Sequence, residues 1–195
     1  MLKRLIIVVT IWLMPAACCG AMELPPTVNK EIAAAALDKT LSVLGTPYVW
    51  GGQSPQGFDC SGLVLWSYHQ NDPTLRWSVD GRSNVFVDDV TAHILFMYNA
   101  VPVDKNEVWP GDLVFVTSNP NYVTHMGMFI RWLDEGKTKF EWVEASSRKN
   151  GVVISTWRLG RKNDDKWLVG VGRMVAWPQN STAQAANPQD DDPSL

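Results

Sequence analysis

Thr124-His125-Met126-Gly127-Met128-Phe129-Ile130-Arg131-Trp132 and, beyond a break at Gly136, Phe140-Glu141-Trp142-Val143-Glu144-Ala145 read as two consecutive β-strands. A shorter apolar run, Leu113-Val114-Phe115-Val116, precedes them behind the turn Pro110-Gly111-Asp112. Residues 151–155 and 169–175 supply two more strands. Five strands joined by short turn-like segments predict an antiparallel meander. Upstream the pattern is helical. Residues 29–44 hold the helix-forming run Ala33 to Ala36, with Ile32, Leu37, Leu41 and Leu44 on one face, and Gly45 and Pro47 stop it. Residues 48–57 read as a Gly- and Pro-rich loop, residues 60–70 as a second helix, and residues 84–97 as a third with Val85, Val90 and Ile94 as its buried stripe. Helices first and consecutive strands after them predict an α+β fold, with the N-terminal helices packed on an antiparallel sheet of about five strands.

At 195 residues the chain suits one ordinary domain, and 46% hydrophobic against 19% charged residues is a globular balance. Seventeen Lys and Arg face twenty Asp and Glu, a net charge of −3, so phosphate-driven nucleic-acid binding is not expected. Three cysteines are too few for a disulfide-framed mini-protein.

The ends read differently from the middle. Lys3 and Arg4, the apolar run 5–14 and the small residues 16–21 follow the three-part pattern of a secretory signal peptide, too short to span a bilayer comfortably. Pro15-Ala16-Ala17-Cys18 also partly fits a lipoprotein box with Cys18 as the lipidated residue, and such a lipid would be the only membrane contact. The expected organisation is therefore a leader over 1–21, a helical segment over 22–44, a folded domain over 45–178 and a disordered tail over 179–195. The expected location is the periplasm, cell envelope or extracellular space. Nothing signals an oligomer, so a monomer is expected.

Removing the leader leaves Cys60 as the single cysteine, at the start of the second helix in Gly57-Phe58-Asp59-Cys60-Ser61-Gly62. Unpaired amides and the positive dipole end of a helix favour a thiolate and can hold an oxyanion. A buried structural cysteine is the commoner fate of a lone thiol. A nucleophile needs a base. His69 falls on the opposite helix face from Cys60, and His93 sits in the third predicted helix. His125 lies in a strand beside Gly127, which leaves space next to its ring, and is the best base by elimination. Glu141 and Glu144, on opposite faces of the next strand, are both available to orient it, and spacing does not choose between them.

Pro47-Tyr48-Val49-Trp50-Gly51-Gly52 followed by Gly57-Phe58-Asp59-Cys60-Ser61-Gly62-Leu63-Val64 resembles the signature of the NlpC-type cysteine peptidases of bacterial cell walls. Pro110 to Phe115, His125 to Ile130 and Trp142 to Ser146 are similar to that family's next blocks, in the same order. The resemblance implies a papain-like α+β core. It implies Cys60 as nucleophile, His125 as base and Glu144 as the orienting residue, although the family most often has His at that third position. It also implies oxyanion support from Tyr48 and binding of a free amine by Asp59 and Ser61. Of the tryptophans, Trp50 and Trp77 stand beside or just after these blocks and are candidates to line a substrate groove.

The activity so implied is hydrolysis of amide bonds in peptidoglycan stem peptides, between D-γ-glutamyl and a diamino acid, through a Cys60 acyl-enzyme. No cofactor and no metal is expected, since one cysteine and one well-placed histidine make no zinc site. The alternatives are a thiol amidase or acyltransferase acting on another envelope substrate, and a non-catalytic wall-binding module.

Overall fold

The computed structural model describes residues 24–82, 85–163 and 165–177. The expected leader over 1–21 and tail over 179–195 lie outside them. Among the described residues three helices and ten strands follow one another: α1 (Lys30–Leu41), β1 (Gln53–Ser54), β2 (Gly57–Phe58), α2 (Cys60–His69), β3 (Trp77–Ser78), β4 (Phe86–Val87), α3 (Ala92–Tyr98), β5 (Ala100–Pro102), β6 (Leu113–Thr117), β7 (His125–Trp132), β8 (Lys139–Ser146), β9 (Gly151–Arg158) and β10 (Trp167–Met174). No helix among the described residues is long and apolar enough to cross a membrane.

The main sheet has six strands in the order β5-β10-β6-β7-β8-β9, all neighbours antiparallel. β6 to β9 form the expected meander, and β10 returns to pair with β6. The sixth strand, β5, is three residues at the sheet edge and ends at Pro102, too short to show an alternating pattern in the sequence.

Helix ends follow their caps. The Asn29 side chain accepts the Ile32 amide at 2.9 Å to start α1, and Thr91 does the same for Ile94 at 3.3 Å to start α3. The third predicted helix is therefore wrong over its first half. Phe86–Val87 is instead a strand paired with Trp77–Ser78, and Arg76 holds Asp88 at 2.9 Å. Helix begins only once Thr91 supplies a cap.

The sheet buries both faces. On one, Leu113, Phe115, Met126, Met128, Val143 and Ala145 pack with Ala33, Ala36, Leu63, Val64 and Leu95 of the three helices. On the other, Val114, Val116, Phe129, Phe140, Trp142 and Trp157 form a second, aromatic cluster. The period-two alternation along β6 to β8 sorts these residues to their faces. Between α1 and α2 the Thr40 hydroxyl bonds that of Ser67 at 2.7 Å, so two buried hydroxyls satisfy each other. The fully buried Asp112 accepts from Arg173 Nε and Nη2, both at 3.0 Å, and from the Trp109 amide at 2.7 Å, while the Arg173 guanidinium stacks 3.3 Å from the Trp109 ring. This network fixes the turn that feeds β6.

Candidate active site

α2 begins at Cys60 because Asp59 caps it. Asp59 Oδ1 accepts the Gly62 amide at 2.7 Å and the Ser61 hydroxyl at 3.2 Å, and Oδ2 accepts the Gly51 amide at 3.0 Å. One carboxylate thus ties the helix start to the Trp50-Gly51 turn. The approach is close: a Cβ on Gly62 would stand 2.1 Å from the Gly52 carbonyl oxygen. Cys60 is a free, part-buried thiol, and α2 packs on β7. The amide of Met126, next to His125 on β7, reaches the Cys60 sulfur, as do the amides of Ser61 and Cys60 itself.

These donors favour the thiolate, as the helix-start argument expects, but they do not win. Burial first, then the Asp59 carboxylate, push the thiol up to about 11. Burial also raises the Tyr48 hydroxyl, with further contributions from Cys60 and Asp59, which places Tyr48 within electrostatic reach of both.

His125 and Glu144 are brought together and buried, at 6% and 5% exposure. His125 Nε2 and Glu144 Oε2 are 2.5 Å apart. With Nε2 committed to the carboxylate, Nδ1 is the nitrogen left with a free lone pair on the neutral ring. Burial lowers the His125 pKa more than the Glu144 hydrogen bond raises it, and Lys166 lowers it further. Burial raises Glu144, but the hydrogen bond and charge of His125, the Ser155 hydroxyl and Lys149 together hold it below the usual carboxylate range. The imidazole ring also meets Trp142 edge-on at 5.6 Å.

Of the two glutamates left open by spacing, Glu141 pairs with Arg131 at 2.9 Å. His69 is half-buried: Nε2 contacts the Leu75 carbonyl at 2.7 Å and the ring packs on Trp77 at 4.4 Å. His93 Nδ1 accepts the Val123 amide at 3.3 Å. Trp50 is 86% exposed beside the Gly51 turn, whereas Trp77 has no exposed surface and donates to Met174 Sδ at 3.3 Å. Trp77 is core, and its expected place in a groove is corrected: the β3–β4 pairing turns its ring into the protein. Ser155 and Lys149, which surround Glu144, carry no motif. Ser155 is reached only through the pairing of Trp142 with Ser155, which sets that hydroxyl diagonally across from Glu144.

The sequence between the helix end and β10 matches a known domain model, the NlpC/P60 family, over residues 45–171. The chain is 31% identical over 142 residues to the murein DD-endopeptidase MepH of Escherichia coli, covering 72% of this chain and 45% of that protein. It is 32% identical over 158 residues to the bifunctional muramidase/DL-endopeptidase CwlT of Bacillus subtilis, covering 80% and 38%. It therefore spans less than half the length of either relative. Among solved structures, a lipoprotein-like member of the NLP/P60 family from Staphylococcus aureus superposes with a TM-score of 0.53 at 26% identity, over 77% of this chain and 44% of that one. The same papain-like layering of a thiol-bearing helix on an antiparallel sheet, and a domain match running through Cys60, His125 and Glu144, place this chain in the NlpC/P60 family.

Proposed function

We propose that this chain is a cysteine endopeptidase that hydrolyses amide bonds in peptidoglycan stem peptides, with Cys60 as nucleophile, His125 as base and Glu144 as the orienting carboxylate. The observation that carries this reading is a thiol at a helix start, against the strand that holds a histidine whose outer nitrogen is bound 2.5 Å from a buried carboxylate. The endopeptidase names of the two relatives agree with it.

Cys60 attacks the scissile carbonyl as its proton passes to His125 Nδ1. Proton transfer in the attack step, rather than a pre-formed thiolate, follows from a thiol raised to about 11. Glu144 accepts from Nε2–H and stabilises the imidazolium. Amides at the start of α2 and the Tyr48 hydroxyl hold the oxyanion. His125 then protonates the leaving amine, and water releases the acyl-enzyme. Asp59 and Ser61 receive the free amine of a short stem peptide, and exposed Trp50 offers a face for it. The bond is D-γ-glutamyl to a diamino acid. The enzyme acts as an exported monomer in the cell envelope, consistent with its N-terminal pattern.

Digestion of defined muropeptides, read by mass spectrometry, tests this on wild type and Cys60→Ala. The expected outcome is cleavage at that bond by wild type and none by the variant. Full cleavage by Cys60→Ala, or no cleavage by wild type, overturns it.

A further inference from the structure

Glu144 has two oxygens, and His125 uses one. Oε1 accepts the Ser155 hydroxyl at 2.5 Å, and the Ser155 Oγ in turn accepts from Lys149 Nζ at 2.6 Å, with Nζ itself 3.8 Å from Oε1. Ser155 is buried at 8%, whereas the Lys149 side chain is half exposed. The chain Lys149, Ser155, Glu144, His125 therefore runs from solvent to the imidazole without a gap. A cavity of about 60 Å³ opens beside it, lined by Glu144, Lys149, Ser155 and Lys166. A serine on a strand and a lysine in a turn meet at one carboxylate oxygen because the β8–β9 hairpin closes directly over it.

We propose that Ser155 and Lys149 are positioning residues, which clamp the second oxygen of Glu144 so that the first stays aimed at His125. This rests on the function proposed above. A carboxylate with one free oxygen can rotate about its last torsion, which is broad, and share its charge between two orientations. The Ser155 donor removes that freedom, and the Lys149 ammonium orients the Ser155 hydrogen toward Glu144 by occupying a lone pair of Oγ. The Lys149 ammonium also offsets part of the Glu144 charge and so restrains imidazolium formation in the resting protein.

Other charges face the pair from each surrounding element. Cys60 and Asp59 stand at the start of α2, and Lys166 lies before β10. Arg148, in the same turn as Lys149, is paired with Asp165 at 3.1 Å.

The test is the titration of the His125 ring by NMR, assigned with a His125→Gln control, together with pH–rate profiles on a defined muropeptide. The variants are Lys149→Met, Ser155→Ala and the conservative Lys149→Arg and Ser155→Thr. In Lys149→Met the lost ammonium should let His125 titrate about half a pH unit higher than in wild type, and in Ser155→Ala the loosened carboxylate should give up part of the hydrogen bond that raises His125 and let it titrate about half a pH unit lower. The acid limb of kcat/KM should move the same way, and kcat should fall about threefold to thirtyfold with KM held. Lys149→Arg and Ser155→Thr should restore both readouts. An unmoved His125 titration in Lys149→Met and Ser155→Ala overturns the proposal, whatever happens to their melting temperatures. Absence of muropeptide cleavage by wild type would sink the proposed function instead, and the NMR titration would still decide the clamp.

Discussion

His125 Nε2 and Glu144 Oε2 stand 2.5 Å apart in a site that leaves both residues almost without exposed surface. The contact fixes the ring, and under the proposed function it also provides a counter-charge for the imidazolium formed during attack. Glu144→Gln keeps an acceptor but removes the charge, and its amide can also turn its NH₂ toward Nε2 and force the wrong tautomer. It should lower kcat by about 10² to 10⁴, the range for replacing an orienting carboxylate by an amide, with KM nearly unchanged. Steady-state kinetics on a single muropeptide checks this, and a rise in KM with kcat intact would contradict the assigned role.

The same pair predicts the acid side of the pH profile. His125 is depressed chiefly by burial and Glu144 by its hydrogen bonds and neighbouring charges, so the active protonation state persists below the ordinary histidine value of about 6.5. Stability should respond in the same direction. Between its depressed folded pKa and about 6.5, His125 binds a proton in the unfolded chain and not in the folded one, so lowering pH through that window destabilises the fold. Glu144 adds to this as pH falls from about 4.3 toward its own depressed value. Thermal melts from pH 8 to 4 should show Tm falling with acid, and His125→Gln should flatten the part of the curve just below pH 6.5.

A thiol raised to about 11 predicts slow alkylation at neutral pH. Only the thiolate reacts, so the rate of iodoacetamide labelling at the Cys60 peptide should climb about tenfold per pH unit from 7 to 10. Peptide mapping by mass spectrometry separates this site from Cys18 and Cys19. A rate that is already high and flat across that range would mean a resting thiolate–imidazolium pair.

Much of this was legible in the sequence, and the exceptions have physical causes. Cys60 announces itself as the single cysteine left at a predicted helix start, and the Asp59 side chain caps that start. The strands β6 to β8 read as near-continuous apolar runs because both faces of the sheet are buried, against different clusters. Choosing Glu144 over Glu141 needed a family resemblance, because strand register is set by tertiary pairing rather than by spacing. The third helix is overextended because Val85, Val90 and Ile94 mimic a stripe; the Thr91 cap is a local signal for the true start, while the pairing of Phe86–Val87 with Trp77–Ser78 acts only through the assembled fold. Ser155 and Lys149 were invisible for the same reason: neither belongs to a motif, and only the hairpin brings them to Glu144.

Trp50 and Trp77 separate binding from packing. Trp50 is 86% exposed and Trp77 is fully buried, so their alanine variants should differ in kind. Trp77→Ala removes a core side chain and should cost about 3–5 kcal/mol in stability. Trp50→Ala should leave Tm within about 1 °C of wild type, as expected of a change worth a few tenths of a kcal/mol, and raise KM for muropeptides several-fold. Denaturant melts and kinetics on the two variants give the contrast directly.

Gly127 sits between His125 and the packed Phe129 on β7, and its lack of a side chain lets β8 close in. A Cβ there would fall 2.3 Å from the Val143 carbonyl oxygen and 2.8 Å from Trp142 Cε3. The first is backbone and cannot swing aside, so β7 and β8 must separate at the place where His125 reaches Glu144. Gly127→Ala should therefore cost about 1–3 kcal/mol of stability, the usual range for overpacking, and reduce kcat as well, since the two residues it parts are the proposed base and its orienting group. Gly170→Ala on β10 is the matched control, with no heavy atom within 4 Å of the added carbon, and should leave both Tm and kcat close to wild type. Equal loss in the two variants would show that glycine's backbone freedom, rather than the close approach of β8, is what Gly127 provides.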